Sequence, residues 1–453
     1  MFSLYLSKTF GWRHFGVARR FEGVSINSKT LEEGNLFVPL KGSKTDGHLF
    51  LEEATGRGAA GFFFERGKFP HGPPRRLLKR AFALEVENAL FALRQTAALK
   101  RDLFRGKEVI AVTGTAGKTT LKELLAHLLA LVGFTQKSLG NFNSRVGLPV
   151  SLASADERAD YWVFELGASE RGNLTEGGKL LRPTLAVLTS LGKAHLEGFK
   201  NFENLSVAKG EVFLPPSVRK AVLPGRFLNL YRSTLGDKEI FTFGGEVSKY
   251  RFRPDGRTEI LFEGTLLEVP LLGEGVVRGV EAAAAVLKAL GLPAAEVLKE
   301  GLPTFRGERG RMQPLLGRGF LVVDDSYNAN PLSMRSALET LVRVEGYERR
   351  VAVLGQMLEL GAESRREHEK LGDLLEKLPI NEVYLFGEEM RFACDRVRSK
   401  PCRLFTDKEE LLKTLKRREP RRGTVYLIKG SRGTRMEEVL EAFSPFLEGP
   451  FSP

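Results

Sequence analysis

An α/β fold in three domains is predicted by three observations. An apolar, β-rich run at Val109-Ile-Ala-Val-Thr passes directly into a glycine loop and then a helix. Strand-length apolar runs alternate with helical periodicities on both sides of it. The chain has 453 residues, 42% of them hydrophobic, which suits roughly three domains with a core each. The units are placed at residues 1–105, 106–310 and 311–453.

The first unit is read as a small α/β N-terminal domain. Leu36-Phe-Val-Pro-Leu and Ala60-Gly-Phe-Phe-Phe read as strands, and Asn88 to Leu103 as a helix leading out. The second unit opens on the strand at Val109. The loop that follows is Gly114-Thr115-Ala116-Gly117-Lys118-Thr119-Thr120. Behind it Leu121, Leu124, Leu125, Leu128 and Leu129 fall at helical spacing. Strand, glycine loop and helix together cradle phosphate, because backbone N–H groups and the helix N-terminus point at the anion. Lys118 can reach the β- and γ-phosphates, and the Thr119 hydroxyl can hold Mg²⁺. The spacing is a subtype, since Val112 stands where the common loop has its first glycine. The unit is read as a central P-loop ATPase domain, expected to bind a nucleoside triphosphate, and the strands Tyr161-Trp-Val-Phe and Leu185-Ala-Val-Leu-Thr extend it as a parallel sheet.

Between Ala221 and Gly273 the texture changes to short strand candidates at Ile240-Phe-Thr-Phe, Tyr250-Arg-Phe-Arg and Glu259-Ile-Leu-Phe, with a hairpin signal at Asp255-Gly256. Ala282 to Leu290 returns to helix, and Gly307-Glu-Arg-Gly-Arg-Met reads as a linker. The third unit repeats the α/β rhythm with strands at Phe320-Leu-Val-Val, Val351-Ala-Val-Leu, Val383-Tyr-Leu-Phe and Val425-Tyr-Leu-Ile. Each ends in a polar or glycine-containing group, where open sheets hold ligands. It is read as a Rossmann-like C-terminal domain that adds a face to a shared cleft.

Composition narrows the function classes. Two cysteines, Cys394 and Cys402, exclude a disulfide framework and a cysteine-based metal site. The first twenty residues are too polar for a secretory signal or a membrane span, so a cytoplasmic protein without membrane insertion is expected. The net charge of +13 is scattered and suits small polyanionic substrates. A P-loop nucleic-acid-dependent ATPase is the reading from a different class. One phosphate loop and no basic, aromatic-interleaved stripe speak against it. No exposed apolar seam is legible, and a monomer is expected.

Other polar groups are ambiguous on their own. Glu165 closes a strand near the loop and suits Mg²⁺, but a surface acid reads equally well. His195 taken alone is a structural or exposed histidine, and Lys209 a solvated helix lysine. The loops around Asn141 and Asn328 can grip a ligand, and ordinary turn chemistry explains them as well.

Taken together, the motifs resemble the Mur ligases, and within them the type that adds D-alanyl-D-alanine. The segments that carry the resemblance are Gly114-Thr-Ala-Gly-Lys-Thr-Thr, Gly140-Asn-Phe-Asn, Glu165-Leu-Gly-Ala and Ala194-His-Leu-Glu-Gly-Phe. Ala208-Lys-Gly-Glu, Asp324-Asp-Ser-Tyr-Asn-Ala-Asn-Pro, Met357-Leu-Glu-Leu-Gly and Lys429-Gly-Ser-Arg follow in family order. The resemblance implies an ATP-dependent amide ligase of peptidoglycan precursor synthesis. Its substrates would be UDP-N-acetylmuramoyl-tripeptide and D-alanyl-D-alanine, with no nucleic acid. A sister ligase or a folylpolyglutamate-type ligase is the alternative within this class. Thr119, Glu165, His195 and Lys209 match positions associated with two Mg²⁺ ions, and Lys209 matches the lysine that these ligases carbamylate. Lys118, His195 and Lys209 are the implied catalytic set. Asn141, Arg311, Asp325 and Asn328 join the loop residues as implied ATP contacts. Phe37-Val-Pro-Leu-Lys-Gly and Asp46-Gly-His resemble the UDP-binding domain, which points to Ser28, Lys41, Asp46 and His48. Three departures stand out. Gly275, Val276 and Gly279 replace a family His-Asn pair and an adenine-contacting Asn. Asn27 and Lys29 replace an Asp and an Arg, and lysine lacks the planar bidentate fork. Gln356 stands where an Asp is common.

Overall fold

A computed structural model describes residues 1–192, 199 and 201–448. It contains three α/β layers built on separate sheets, with a small antiparallel sheet beside the second. The N-terminal sheet runs in the order Arg13–Phe15, Phe82–Val86, Gly61–Glu65, Leu36–Phe37, Val24–Ser25. Its first pair is antiparallel and the rest are parallel. Phe62, Phe63, Phe64 and Phe82 are buried in this domain, so its two central strands are apolar on both faces.

The central sheet is six-stranded and wholly parallel, in the order Glu239–Phe243, Lys220–Pro224, Leu185–Leu188, Glu108–Thr113, Tyr161–Glu165, Thr135–Lys137. The loop strand Glu108–Thr113 lies inside this sheet, and the loop therefore emerges at its carboxyl edge. The helix Lys118–Leu129 packs on one face with the long helix Glu274–Ala289. The other face buries Trp162, Phe164 and Ala186 in a core that continues into the N-terminal domain through Phe21, Leu36, Phe63 and Phe82. The helix Ala89–Leu103 lies in that shared layer against Gly147–Ala153. A hydrogen bond from the Val24 N–H to Ser154 Oγ at 2.9 Å crosses the same boundary.

The region read as one change of texture is divided by the structure. Lys220–Pro224 and Glu239–Phe243 are parallel strands of the central sheet, and only Val247–Phe252, Thr258–Phe262 and Thr265–Val269 form an antiparallel meander. The edge strand Glu239–Phe243 is exposed over most of its length, so its pattern resembles a hairpin strand. The helix expected from Ala282 begins at Glu274. Gly275 and Gly279 weaken helix propensity in its first turns and hide that start.

The C-terminal sheet runs Gln313–Gly317, Phe320–Asp325, Thr424–Lys429, Arg349–Gly355, Glu382–Phe386, Cys402–Phe405, antiparallel only at its first pair. The carboxyl edge of Phe320–Asp325 contributes Asp325 to the same cavity as the glycine loop. Among the described residues no helix is long and apolar enough to cross a membrane.

Candidate active site

A cavity of about 1020 Å³ lies where the three domains meet, from Arg94 of the N-terminal domain to Glu359 of the C-terminal one. Its floor is the glycine loop. Gly114 has φ +147°, and a Cβ there would come within 2.0 Å of Thr189 Oγ1, so only glycine fits. Thr189 and Ser190, just past the neighbouring strand, brace the loop. Ser190 O accepts from the Thr115 N–H at 3.0 Å, Ser190 Oγ accepts from the Ala116 N–H at 2.9 Å, and Thr189 Oγ1 donates to Ala116 O at 2.6 Å. Gly117, at φ +80°, turns the chain into the helix that starts at Lys118. The first N–H groups of that helix have no intrahelical acceptor and face the cavity end of the loop.

Four side chains converge above this floor. Thr119 Oγ1 donates to Glu165 Oε2 at 2.7 Å. Glu165 is 2% exposed at the end of Tyr161–Glu165, and its other oxygen accepts from Asn143 Nδ2 at 2.7 Å. Among the described residues Lys118 Nζ reaches only the backbone oxygens of Gly114 at 3.1 Å and Thr115 at 3.5 Å. Burial pushes the Lys118 pKa down, Glu165 opposes that, and Arg311 adds to it. Lys209 is 2% exposed, donates to Ala168 O at 3.3 Å and lies 5.7 Å from the centre of the Phe199 ring. Its pKa is lowered to about 7, first by burial and then by the Lys118 charge, against Glu165 and Glu211. At neutral pH a substantial fraction of this amine is therefore unprotonated.

Arg311 enters from the linker. Its Nη2 donates to Thr119 Oγ1 at 3.2 Å, and its buried Nε has no hydrogen-bond partner among the described residues. Asp325, Asn328 and Lys429 line the opposite wall. Both Asp325 oxygens are engaged, Oδ1 with the Met312 N–H at 3.2 Å and Oδ2 with Lys429 Nζ at 2.5 Å.

The structure brings together Gly117, Lys118, Thr119, Thr120, Glu165, Lys209, Arg311, Asp325 and Asn328 in one cavity with Thr115, Ala116 and Asn141. His195 lies outside the described residues. Ser28, Lys41, Asp46 and His48 do not line the cavity. Ser28 Oγ donates to Glu53 at 2.8 Å. Asp46 accepts from the His48 N–H at 3.0 Å, the His48 ring at 2.7 Å and Lys68 at 2.6 Å. Asn143 was not distinguished from Asn141 by sequence. Both sit in one polar loop, and only the fold shows that the second asparagine reaches Glu165. Tyr327 and Lys429 were also missed as contacts, because they act through pairings far apart in the chain.

Among the described residues no three His, Cys, Asp or Glu side chains form a metal cage. The donor set at Thr119 and Glu165 is instead one hydroxyl and one carboxylate. That suits Mg²⁺, which keeps waters and takes the rest of its oxygens from a bound phosphate chain.

Residues 20–101 match the Mur ligase family catalytic domain, 112–287 the Mur ligase middle domain and 310–432 the Mur ligase glutamate ligase domain. The UDP-N-acetylmuramoyl-tripeptide–D-alanyl-D-alanine ligase of Escherichia coli is 31% identical over 444 residues, covering 93% of each chain. MurF from Acinetobacter baumannii superposes with a TM-score of 0.82 at 28% identity over 97% of both chains. MurF ligase from Thermotoga maritima, solved in complex with ADP, gives 0.78 at 31% identity over 94% of this chain and 97% of that one. With its phosphate loop, its Thr119–Glu165 pair and three matching domains in order, this chain belongs to the Mur ligase family.

Proposed function

We propose that the chain is an ATP-dependent ligase that joins D-alanyl-D-alanine to the peptide carboxylate of UDP-N-acetylmuramoyl-tripeptide, acting as a cytoplasmic monomer. The observation that carries the reading is the convergence of Lys118, Lys209 and Arg311 around the Thr119–Glu165 pair in one cavity. A triphosphate and a carboxylate repel each other, and reaction between them needs concentrated positive charge in a site shielded from water. The curated relatives of matching length supply the substrate pair.

In this reading the loop N–H groups and Lys118 hold the phosphate chain of ATP. Glu165, with Thr119, would hold Mg²⁺, which neutralises charge on the transferring phosphoryl group. The substrate carboxylate attacks the γ-phosphorus, the bond to ADP breaks, and an acyl phosphate forms. Lys118 and Arg311 balance the charge that builds on the phosphoryl oxygens. The amine of the dipeptide then attacks the acyl carbon, phosphate departs, and the amine proton is lost. Closure at the linker excludes water from the acyl phosphate. Lys209, partly neutral, is suited to add CO₂ and release a proton. The product is a carbamate anion where a cation stood, and it would serve a second Mg²⁺.

The test is phosphate release from Mg·ATP with the UDP-linked tripeptide, with and without D-alanyl-D-alanine. Turnover requiring both substrates is expected. Turnover with a single amino acid or with glutamate in place of the dipeptide would reassign the substrate. Stimulation by DNA or RNA alone would overturn the reading. Intact-protein mass at neutral pH in bicarbonate is expected to show one added CO₂, absent in Lys209→Arg.

A further inference from the structure

The linker between the central and C-terminal domains is gripped by one loop of the C-terminal domain. Gly310 has φ +71°, and a Cβ there would come within 2.9 Å of Tyr327 N. The Tyr327 N–H donates to Gly310 O at 3.1 Å. Two residues on, Met312 has φ +53°, a left-handed conformation that a side-chain-bearing residue rarely adopts and that surrounding contacts must hold. Its N–H is held by Asp325 Oδ1 at 3.2 Å. Lys429, 1% exposed, fixes the other Asp325 oxygen and also donates to Asn328 O at 2.8 Å.

Between these two anchors sits Arg311. Its guanidinium carbon lies 4.1 Å from the centre of the Tyr327 ring, and Arg432 approaches the same ring at 5.6 Å. A carboxylate in place of the ring would consume the guanidinium N–H groups. An aromatic face engages only the π face of the cation and leaves the in-plane donors free for Thr119 and an incoming anion.

We propose that Tyr327 is a positioning residue, which with Asp325 clamps the linker so that Arg311 is held at the phosphate corner beside Thr119. Binding of a triphosphate is thereby coupled to the placement of the C-terminal domain. The proposal rests on the nucleotide reading above and adds to it a residue that acts through Arg311.

The experiment is a double-mutant cycle on the full chain, read as the Kd of the Mg²⁺ complex of the β,γ-imido analogue of ATP by calorimetry. Tyr327→Phe keeps the ring and is expected within about twofold of the unaltered chain. Tyr327→Leu is expected to weaken binding by about 5- to 30-fold, the range for a desolvated cation–π contact. On an Arg311→Met background the same Leu substitution is expected to change Kd by less than about twofold, since its effect runs through Arg311. The clamp is overturned if Leu has no effect, if Phe is as damaging as Leu, or if the Leu effect persists without Arg311. An unaltered chain that binds the analogue but does not ligate contradicts the substrate reading and leaves the cycle readable. A chain that binds no nucleotide overturns both.

Discussion

Two polar clusters of this protein carry similar residue types and behave in opposite ways. In the N-terminal domain Asp46, His48 and Lys68 satisfy one another, and the Glu65 N–H donates to the remaining His48 nitrogen at 3.1 Å. The Lys68 ammonium, with the His48 contacts, holds the Asp46 carboxyl well below the usual range. Among the described residues Lys118 and Lys209 at the phosphate corner hydrogen-bond only to backbone carbonyls, and the Glu165 carboxylate only to neutral Thr119 and Asn143. None of Lys118, Lys209, Arg311 and Glu165 makes an ion pair among the described residues. Burying charges that make no ion pair is costly, so such a cluster suits a site that a ligand completes. Among the described residues the first cluster is satisfied by its own side chains and the second is not.

That contrast can be broken by substitution. The largest effect is expected for Lys118→Met, which should lower ligation kcat by about 10²- to 10³-fold, as loss of a transition-state charge donor does. Its melting temperature should not fall, because a desolvated cation has been removed. A marked loss of stability would mean that Lys118 is structural. Glu165→Gln should cost roughly 10²-fold and raise the Mg²⁺ concentration for half-maximal rate, measured by titrating Mg²⁺ at fixed ATP. An unchanged Mg²⁺ requirement would remove Glu165 from the metal site. Asn143→Ala should cost about tenfold through a less well-held Glu165, in line with a hydrogen bond to a charged group.

The smallest effect belongs to the satisfied cluster. Asp46→Asn keeps the cap on the His48 N–H but loses the charge, and should destabilise by about 1 kcal/mol or less, as a partly exposed ion pair does. The Asp46 pKa is depressed in the folded state, so the benefit is present above the unfolded value. The gap between the two proteins should be full at pH 7 and close as pH falls below the usual 3.8 towards the folded value. Denaturant midpoints across that range would check this, and a gap that widens in acid would contradict it.

The sequence made parts of this contrast legible and hid others for physical reasons. The glycine loop is contiguous, so strand, turn chemistry and helix periodicity identify Gly114 to Thr120 locally. Glu165 stays ambiguous from its place at a strand end, where a surface acid reads equally well, and only the resemblance singles it out. The three larger sheets follow in outline from alternating strands and helices, but Phe82–Val86, Lys220–Pro224, Gln313–Gly317 and Cys402–Phe405 have no counterpart in that reading. Ile240-Phe-Thr-Phe, read with the hairpin strands, belongs to Glu239–Phe243 of the central sheet, whose exposed edge position removes the buried-strand signature. Long-range pairings were not legible: Asn143 to Glu165, Tyr327 to Arg311, and Lys429 to Asp325 span 16 to 104 residues. Composition cannot say whether a charged residue is satisfied, so Asp46 and Glu165 looked alike until their partners were known.

The most direct test of the central claim, that the unsatisfied corner activates a carboxylate by phosphoryl transfer, follows an oxygen atom. The peptide carboxylate of the UDP-linked tripeptide is labelled with ¹⁸O, and the phosphate released during ligation is analysed by mass spectrometry. An acyl phosphate route places one ¹⁸O in the phosphate for each amide bond formed. Unlabelled phosphate, or label recovered in AMP, would contradict the account.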